Sequence, residues 1–196
     1  MRIDRSATRR VIPIALFLGW TATAAVAATI VFDPARTTVE FTLGDVLHTV
    51  HGTFKLKSGT ITFDSATGLA SGSIVVDATS GNSGSGARDR RMHKNILESD
   101  RFPEIVFTLD HIEESVALEG QSKVQVHGLL RIHGTEHEIT LPFQVQADAG
   151  HVTATTQFPV PYVKWGMKNP STFLLKVNDT VDIGIRAIGQ MSAESR

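Results

Sequence analysis

The chain has 196 residues, with 19 basic and 20 acidic side chains and a formal net charge of −1, so it carries no cationic excess with which to neutralise nucleic-acid phosphates. It contains no cysteine, which excludes thiol catalysis, structural disulfides and a lipid-modified N-terminal cysteine. The length suits one domain able to bury a substantial core.

The N-terminus reads as an export signal. Arg2, Arg5, Arg9 and Arg10 make a basic start, and Val11 to Val26 carry no charge. Ala25-Val26-Ala27 then fits the small-residue cleavage pattern. Pro13 and Gly19 interrupt the apolar run, which falls short of the ~20 residues that span a bilayer comfortably. Residues 1–28 are therefore expected to be a signal peptide, with the mature chain starting at Ala28 or Thr29. Arg9-Arg10 is compatible with either general or twin-arginine export. The remaining chain, expected to form one domain over 29–191, has fifteen basic and nineteen acidic residues, a formal charge of −4.

Period-two alternation dominates that domain. Val39, Phe41 and Leu43 alternate with Thr38, Glu40 and Thr42, which predicts a strand with one buried face. Thr49–Leu56, Thr60–Asp64 and Gly72–Asp77 follow, separated by turn chemistry at Lys57-Ser58-Gly59 and Ala66-Thr67-Gly68. Ser80–Gly86 is flexible by composition. Arg88–Leu97 then reads as a short helix, with Met92, Ile96 and Leu97 on one face and Arg90, Arg91 and Lys94 elsewhere. Further strands are expected at Glu104–Leu109, Val116–Leu118, Lys123–Ile132, Ile139–Ala147, His151–Val160, Phe173–Val177 and Val181–Ala187. Turns fall at Gly134-Thr135-Glu136, Asp148-Ala149-Gly150 and Asn178-Asp179. So many strands joined by short turns imply a sandwich or a closed barrel. Periodicity does not choose between them, and strands of about ten residues favour the barrel. The helix either lids a barrel mouth or plugs the core.

Catalytic and metal chemistry is poorly supplied. His48 and His51 should face opposite sides of a strand, and His127 and His133 stand about 20 Å apart along one. His133 and His137 flank a turn, and two imidazoles without a third ligand make at best a weak site. Gly81-Asn82-Ser83-Gly84-Ser85-Gly86 lacks the spacing of a nucleophile elbow. No enzyme activity, metal or cofactor is expected. Phenylalanine, by contrast, is frequent on the inward-reading positions. If a tunnel remains between these side chains, each enclosed CH₂ contributes ~0.8 kcal/mol to binding an apolar chain.

Four ordered stretches carry a family likeness: Val50-His51-Gly52-Thr53-Phe54; Arg88-Asp89 with Arg101-Phe102-Pro103-Glu104-Ile105-Val106-Phe107; Val126-His127-Gly128-Leu129-Leu130-Arg131-Ile132-His133-Gly134; and Trp165-Gly166 through Val181-Asp182-Ile183. On these residues the chain resembles the YceI-like family of periplasmic polyisoprenoid-binding proteins. The resemblance implies an all-β, lipocalin-like extended antiparallel β-barrel with one short helix at its mouth, holding a long isoprenoid in its interior. Phe41, Phe54, Phe63, Met92, Ile96, Phe102, Phe107, Leu130, Phe143 and Trp165 are the expected apolar pocket. Arg88 and Arg91, beside Ser85 and Gly86, are the expected head-group contacts. Many relatives have His-Leu two residues after the Arg-Asp pair and two aromatics before the Pro. Here Arg91-Met92 and the single Phe102 stand instead, so the departure falls on the segment that would meet the head group. The expected protein is periplasmic, binds an isoprenoid quinone or polyprenyl phosphate and no nucleic acid, and is compatible with transient membrane contact or a homodimer. The competing reading is a periplasmic stress-response or structural β module with a filled core and a protein partner.

Overall fold

The alternating pattern folds into nine antiparallel strands in the computed structural model, which describes residues 26–44, 48–65, 67–173 and 175–195. The strands are β1 (Val26–Phe32), β2 (Thr38–Gly44), β3 (Thr49–Asp64), β4 (Ala70–Asn82), β5 (Glu104–Glu113), β6 (Gly120–Ile132), β7 (Thr135–Asp148), β8 (His151–Val160) and β9 (Val181–Ser195). The signal-peptide reading falls, up to residue 25, outside the described residues.

Consecutive strands pair from β3 round to β9 except where β1 and β2 enter between β9 and β3. These two share a single position in the wall. Ala27–Val31 of β1 pairs with Thr60–Asp64 of β3, and Val39–Gly44 of β2 with Thr49–Phe54 lower on the same strand. Both also pair with β9, β1 over Gly189–Ser195 and β2 over Asp182–Arg186. The step between them is pinned on β9: the Asp33 N–H donates to the Ile188 carbonyl at 2.7 Å, and the Ile188 N–H donates to Thr37 Oγ1 at 3.2 Å. Nine strands thus make eight staves, and the β3–β4 ladder closes the ring. A closed antiparallel barrel leaves no unpaired sheet edge, which two stacked sheets would have retained.

Alternation places the core on the inside. On β6, Val124, Val126, Leu130 and Ile132 are buried while Lys123, Leu129 and Arg131 are exposed. Several expectations need correction. Lys57-Ser58-Gly59 is no turn: β3 runs through it, with a register shift against β4 between Leu56 and Ser58. The small residues mark a bulge that bends a long strand. Val116–Leu118 forms no strand, and the described residues of Phe173–Val177 form none beyond a single β-bridge at Val177. Val26–Phe32 is a strand that alternation alone hid behind the signal-like alanines.

The helix begins at Gly86 rather than Arg88. Its first part, α1, spans Gly86–Arg91 and continues as a π-helical turn over Met92–Leu97. An i→i+5 turn carries residue i+5 back over residue i, so Leu97 joins Met92 and Ile96 on the inward side. Glu98, in the left-handed region at φ 47°, ends the segment, and its carbonyl accepts the N–H groups of Arg101 and Phe102 at 2.8 and 2.9 Å.

Candidate ligand-binding cavity

The inward faces of eight long staves do not meet across the axis. They enclose a cavity of about 620 Å³, lined by residues from every strand. That volume lies within the range of ligand pockets, about 300–1,000 Å³. The burial of the lining residues distinguishes the two ends. Phe63, Ile112, Val116, Val145 and Val152 form one end and are each less than 9% exposed. At the other end the lining residues Ala87, Arg88 and Arg91 are exposed, and Pro170, Leu175 and Val177 only half-buried. The cavity is closed at the first end and opens at the second, between the α1 segment and the long β8–β9 connection.

Eight of the ten expected apolar residues line the cavity: Phe41, Phe54, Phe63, Met92, Ile96, Phe107, Leu130 and Phe143. Phe41 and Phe54 meet with ring centroids 5.4 Å apart. Gly52 makes room for them, since a Cβ there would lie 2.3 Å from the Phe41 ring. Phe102 and Trp165 do not line the cavity. Phe102 packs against the His133 ring at 4.9 Å and lies under the Arg101 guanidinium. Trp165 stacks on His137, with centroids 4.0 Å apart and planes 8° from parallel. The reason is the course of β8, which pairs with β7 only over Gln144–Asp148. Nearer the mouth the two strands separate, and Trp165 packs against β7 rather than facing inward. The two hairpin histidines each take a different aromatic partner and do not pair with one another.

Polar lining groups collect at the mouth. Ser83, Ser85, Arg88 and Arg91 lie there, and among the described residues Arg88 and Arg91 are the only charged ones lining the cavity. Arg88 is already engaged: Nε donates to Ser83 Oγ at 2.8 Å and Nη2 to the Ser83 carbonyl at 2.9 Å. Ser83 in turn donates its hydroxyl and its N–H to Asp89 Oδ1. The hydroxyl bond is the main reason the Asp89 carboxyl sits below its ordinary range, with Arg88 and His93 assisting. Arg91 has no ion pair or hydrogen bond among the described residues. His93 fixes the segment from behind, its Nε2 donating to the Gly81 carbonyl at 2.9 Å and its Nδ1 3.1 Å from Ser99 Oγ. The aromatic and arginine composition pointed to this region, but nothing in the spacing signalled that His93 would hold it.

The opposite rim is anchored by Tyr162, which lines the cavity while its hydroxyl donates to the Asn178 carbonyl at 2.7 Å. Burial, with the Asp179 charge, pushes its phenol up to about 12. A raised pKa contributes stability that is complete below the unfolded value near 10 and is lost as pH climbs toward about 12. Tyr162 is the only tyrosine in the chain, so phenolate absorbance reports it alone. Titration of the folded protein should show no ionisation at pH 10 to 10.5. A midpoint near 10 would mean that the β8–β9 connection leaves the ring exposed.

An apolar wall with two arginines at one end can bind and orient. Among the described residues the lining holds no carboxylate or imidazole, and its arginines stay charged rather than exchange protons.

Comparison with known proteins agrees with this geometry. The YceI-like domain profile matches residues 31–188. No curated protein matches the chain. Among solved structures, a polyisoprenoid binding domain from Saccharophagus degradans is 16% identical, with a TM-score of 0.67 over 83% of this chain and 98% of that one. Burkholderia cenocepacia BcnA is 19% identical, with a TM-score of 0.66 over 80% and 98%. The Campylobacter jejuni YceI protein is 18% identical, with a TM-score of 0.59 over 76% and 88%. At these identities the likeness establishes the shared fold.

Proposed function

The chain belongs to the YceI-like family, and from that premise we propose that it is an exported binding protein that shields the tail of an isoprenoid lipid from water. The observation that carries this is the cavity of about 620 Å³, lined mostly by apolar side chains, with its charged lining residues at the mouth. At roughly 30 Å³ per water-sized group it has room for about twenty methylene-sized units, or about four isoprene units. Their burial supplies a gross ~16 kcal/mol, against association and ordering costs of about 4–15 kcal/mol. Affinity then needs no catalytic group. A filled-core structural module would have left no such space. The isoprenoid class is supported by the Saccharophagus domain, described as polyisoprenoid-binding. Periplasmic location is supported by the signal-like residues 1–28. A cut before Ala28 keeps Ala28–Val31 paired with β3 and β9.

A neutral quinone head fits the mouth better than a pyrophosphate. Arg88 is committed to Ser83, Asp89 adds a negative charge beside it, and only Arg91 remains unpaired. Mass spectrometry of organic extracts from natively purified protein should recover a prenyl-tailed lipid, and recovery of none from a folded barrel would favour a stress-response or structural module with a protein partner instead. The head is assigned by titration into Arg91→Glu and Arg88→Glu/Arg91→Glu proteins. Quinone affinity should stay within about 0.5 kcal/mol of wild type, since no charge-assisted bond is lost. A loss of about 2–4 kcal/mol confined to a pyrophosphorylated isoprenoid would assign an anionic head instead.

A further inference from the structure

Phe173 is 98% exposed, the most exposed large hydrophobic residue among those described. It stands on the β8–β9 connection between Pro170 and Leu175, both of which line the cavity at its open end. Its own side chain does not line the cavity. The local turn holds it out: the Thr172 N–H donates to the Leu175 carbonyl at 2.8 Å, and the Leu175 N–H to Thr172 Oγ1 at 3.1 Å.

Charge is distributed along the barrel axis. The two segments that frame the mouth carry Lys164, Lys168 and Lys176 on one side and Arg88, Arg90, Arg91 and Lys94 on the other, all exposed. Two carboxylates in these segments, Asp89 and Asp179, are tied into hydrogen bonds with Ser83 and Asn169. Counting Glu98 and Asp100 with the strand-end residues Glu104, Glu136 and Asp182, against Arg101 and Arg131, leaves the described rim slightly positive, nine basic side chains to seven acidic. The turns and strand ends at the closed end present Asp64, Glu113, Glu114, Glu119 and Asp148 against a single lysine, Lys123. Such a molecule is oriented by an anionic surface, with its open end leading.

We propose that the open rim is a membrane-docking surface, on which Phe173 inserts below the head groups of an anionic phospholipid bilayer while Lys164, Lys168 and Lys176 bind the head groups. The proposal deepens the isoprenoid-binding reading, because docking would bring the cavity mouth against the bilayer from which a lipid tail is drawn. The exposed Phe173 ring is an aromatic anchor of the kind that suits the apolar boundary of a bilayer. The basic ring supplies the electrostatic attraction that one apolar side chain lacks.

The test is cosedimentation of lipid-stripped protein with vesicles of phosphatidylcholine alone or of phosphatidylcholine with phosphatidylglycerol. Binding is expected only to the anionic vesicles, and it should fall as salt is raised. Lys164→Glu/Lys168→Glu/Lys176→Glu should weaken it by roughly a hundredfold. Phe173→Ser should weaken it by roughly tenfold, with melting temperature and isoprenoid affinity in detergent solution unchanged. Phe173→Trp should shift its emission to the blue when anionic vesicles are added. Lys123→Glu at the closed end should bind vesicles like wild type. Equal binding to both vesicle types, no binding to either, or no emission shift would overturn the proposal. Because the protein is stripped of lipid, failure here leaves the cavity reading standing, and loss of isoprenoid affinity alone leaves docking standing.

Discussion

Combining Ala154→Leu with Ala187→Phe should abolish binding of a twenty-carbon isoprenoid tail while leaving the barrel folded. The two alanines are register partners on β8 and β9, both buried, and both line the cavity. They lie between the mouth and the closed end formed by Phe63, Ile112 and Val116. The larger side chains add about nine methylene-sized groups to the interior, close to half of the tail it would enclose. At ~0.8 kcal/mol each, the forfeited burial is on the order of 7 kcal/mol. Even with relaxation, a loss of at least about a thousandfold is expected, whereas a ten-carbon analogue occupying the outer half should lose less than about tenfold. Filling an empty apolar space costs little compared with overpacking a dense core, about 1–3 kcal/mol. The melting temperature should therefore hold within a few degrees. Undiminished binding of the long tail by this protein would place the ligand outside the barrel.

Gly128→Val should be among the most destabilising single changes in the wall. By strand propensity the substitution looks favourable, since β-branched residues suit a pleated surface. The close approach of β5 reverses that expectation. A Cβ at Gly128 would lie 2.3 Å from the Thr108 carbonyl oxygen and 2.8 Å from Leu109 Cα. Both contacts are backbone, and the register of β5 against β6 already shifts between Leu109 and His111, so neither strand can yield without losing ladder bonds. A cost of about 3–4 kcal/mol is expected, a large share of a typical stability of about 5–15 kcal/mol. Urea unfolding should show the midpoint falling accordingly. Leu129→Val, at the exposed neighbour, should stay within about 0.5 kcal/mol. An unchanged midpoint for Gly128→Val would mean that β5 and β6 are spaced more widely here than the geometry describes.

The same residue shows the limit of reading a chain without its neighbours. His127-Gly128 stood out as part of an ordered motif, but the sequence contained no indication of why glycine was needed. From the sequence, His127 reads only as too far along the strand from His133 to share a metal. It lies between two carboxylates, with Nδ1 2.7 Å from Asp110 and Nε2 3.1 Å from Glu138, and the Asp110 hydrogen bond foremost raises its pKa. Those partners sit on the adjacent strands and are invisible to local spacing.

What the sequence determined by itself was the class of fold and the side of each strand that faces inward. Alternation has a period of two, and burial of one face enforces it residue by residue, so Val124 to Ile132 or Ile139 to Ala147 could be oriented from the string alone. Whether the strands closed, and how much space they left, depended on non-local pairing. β1 and β2 share one stave only because both pair with β9, distant in the chain, and with successive parts of β3. Phe102 and Trp165 carry the same apolar chemistry as Phe107 and Phe143, yet stand outside the cavity, Phe102 packed on His133 at the β6–β7 turn and Trp165 on His137 where β7 and β8 separate. Side-chain type fixes what a residue can do in an apolar interior, but the path of the neighbouring strands decides whether the interior is there for it to face.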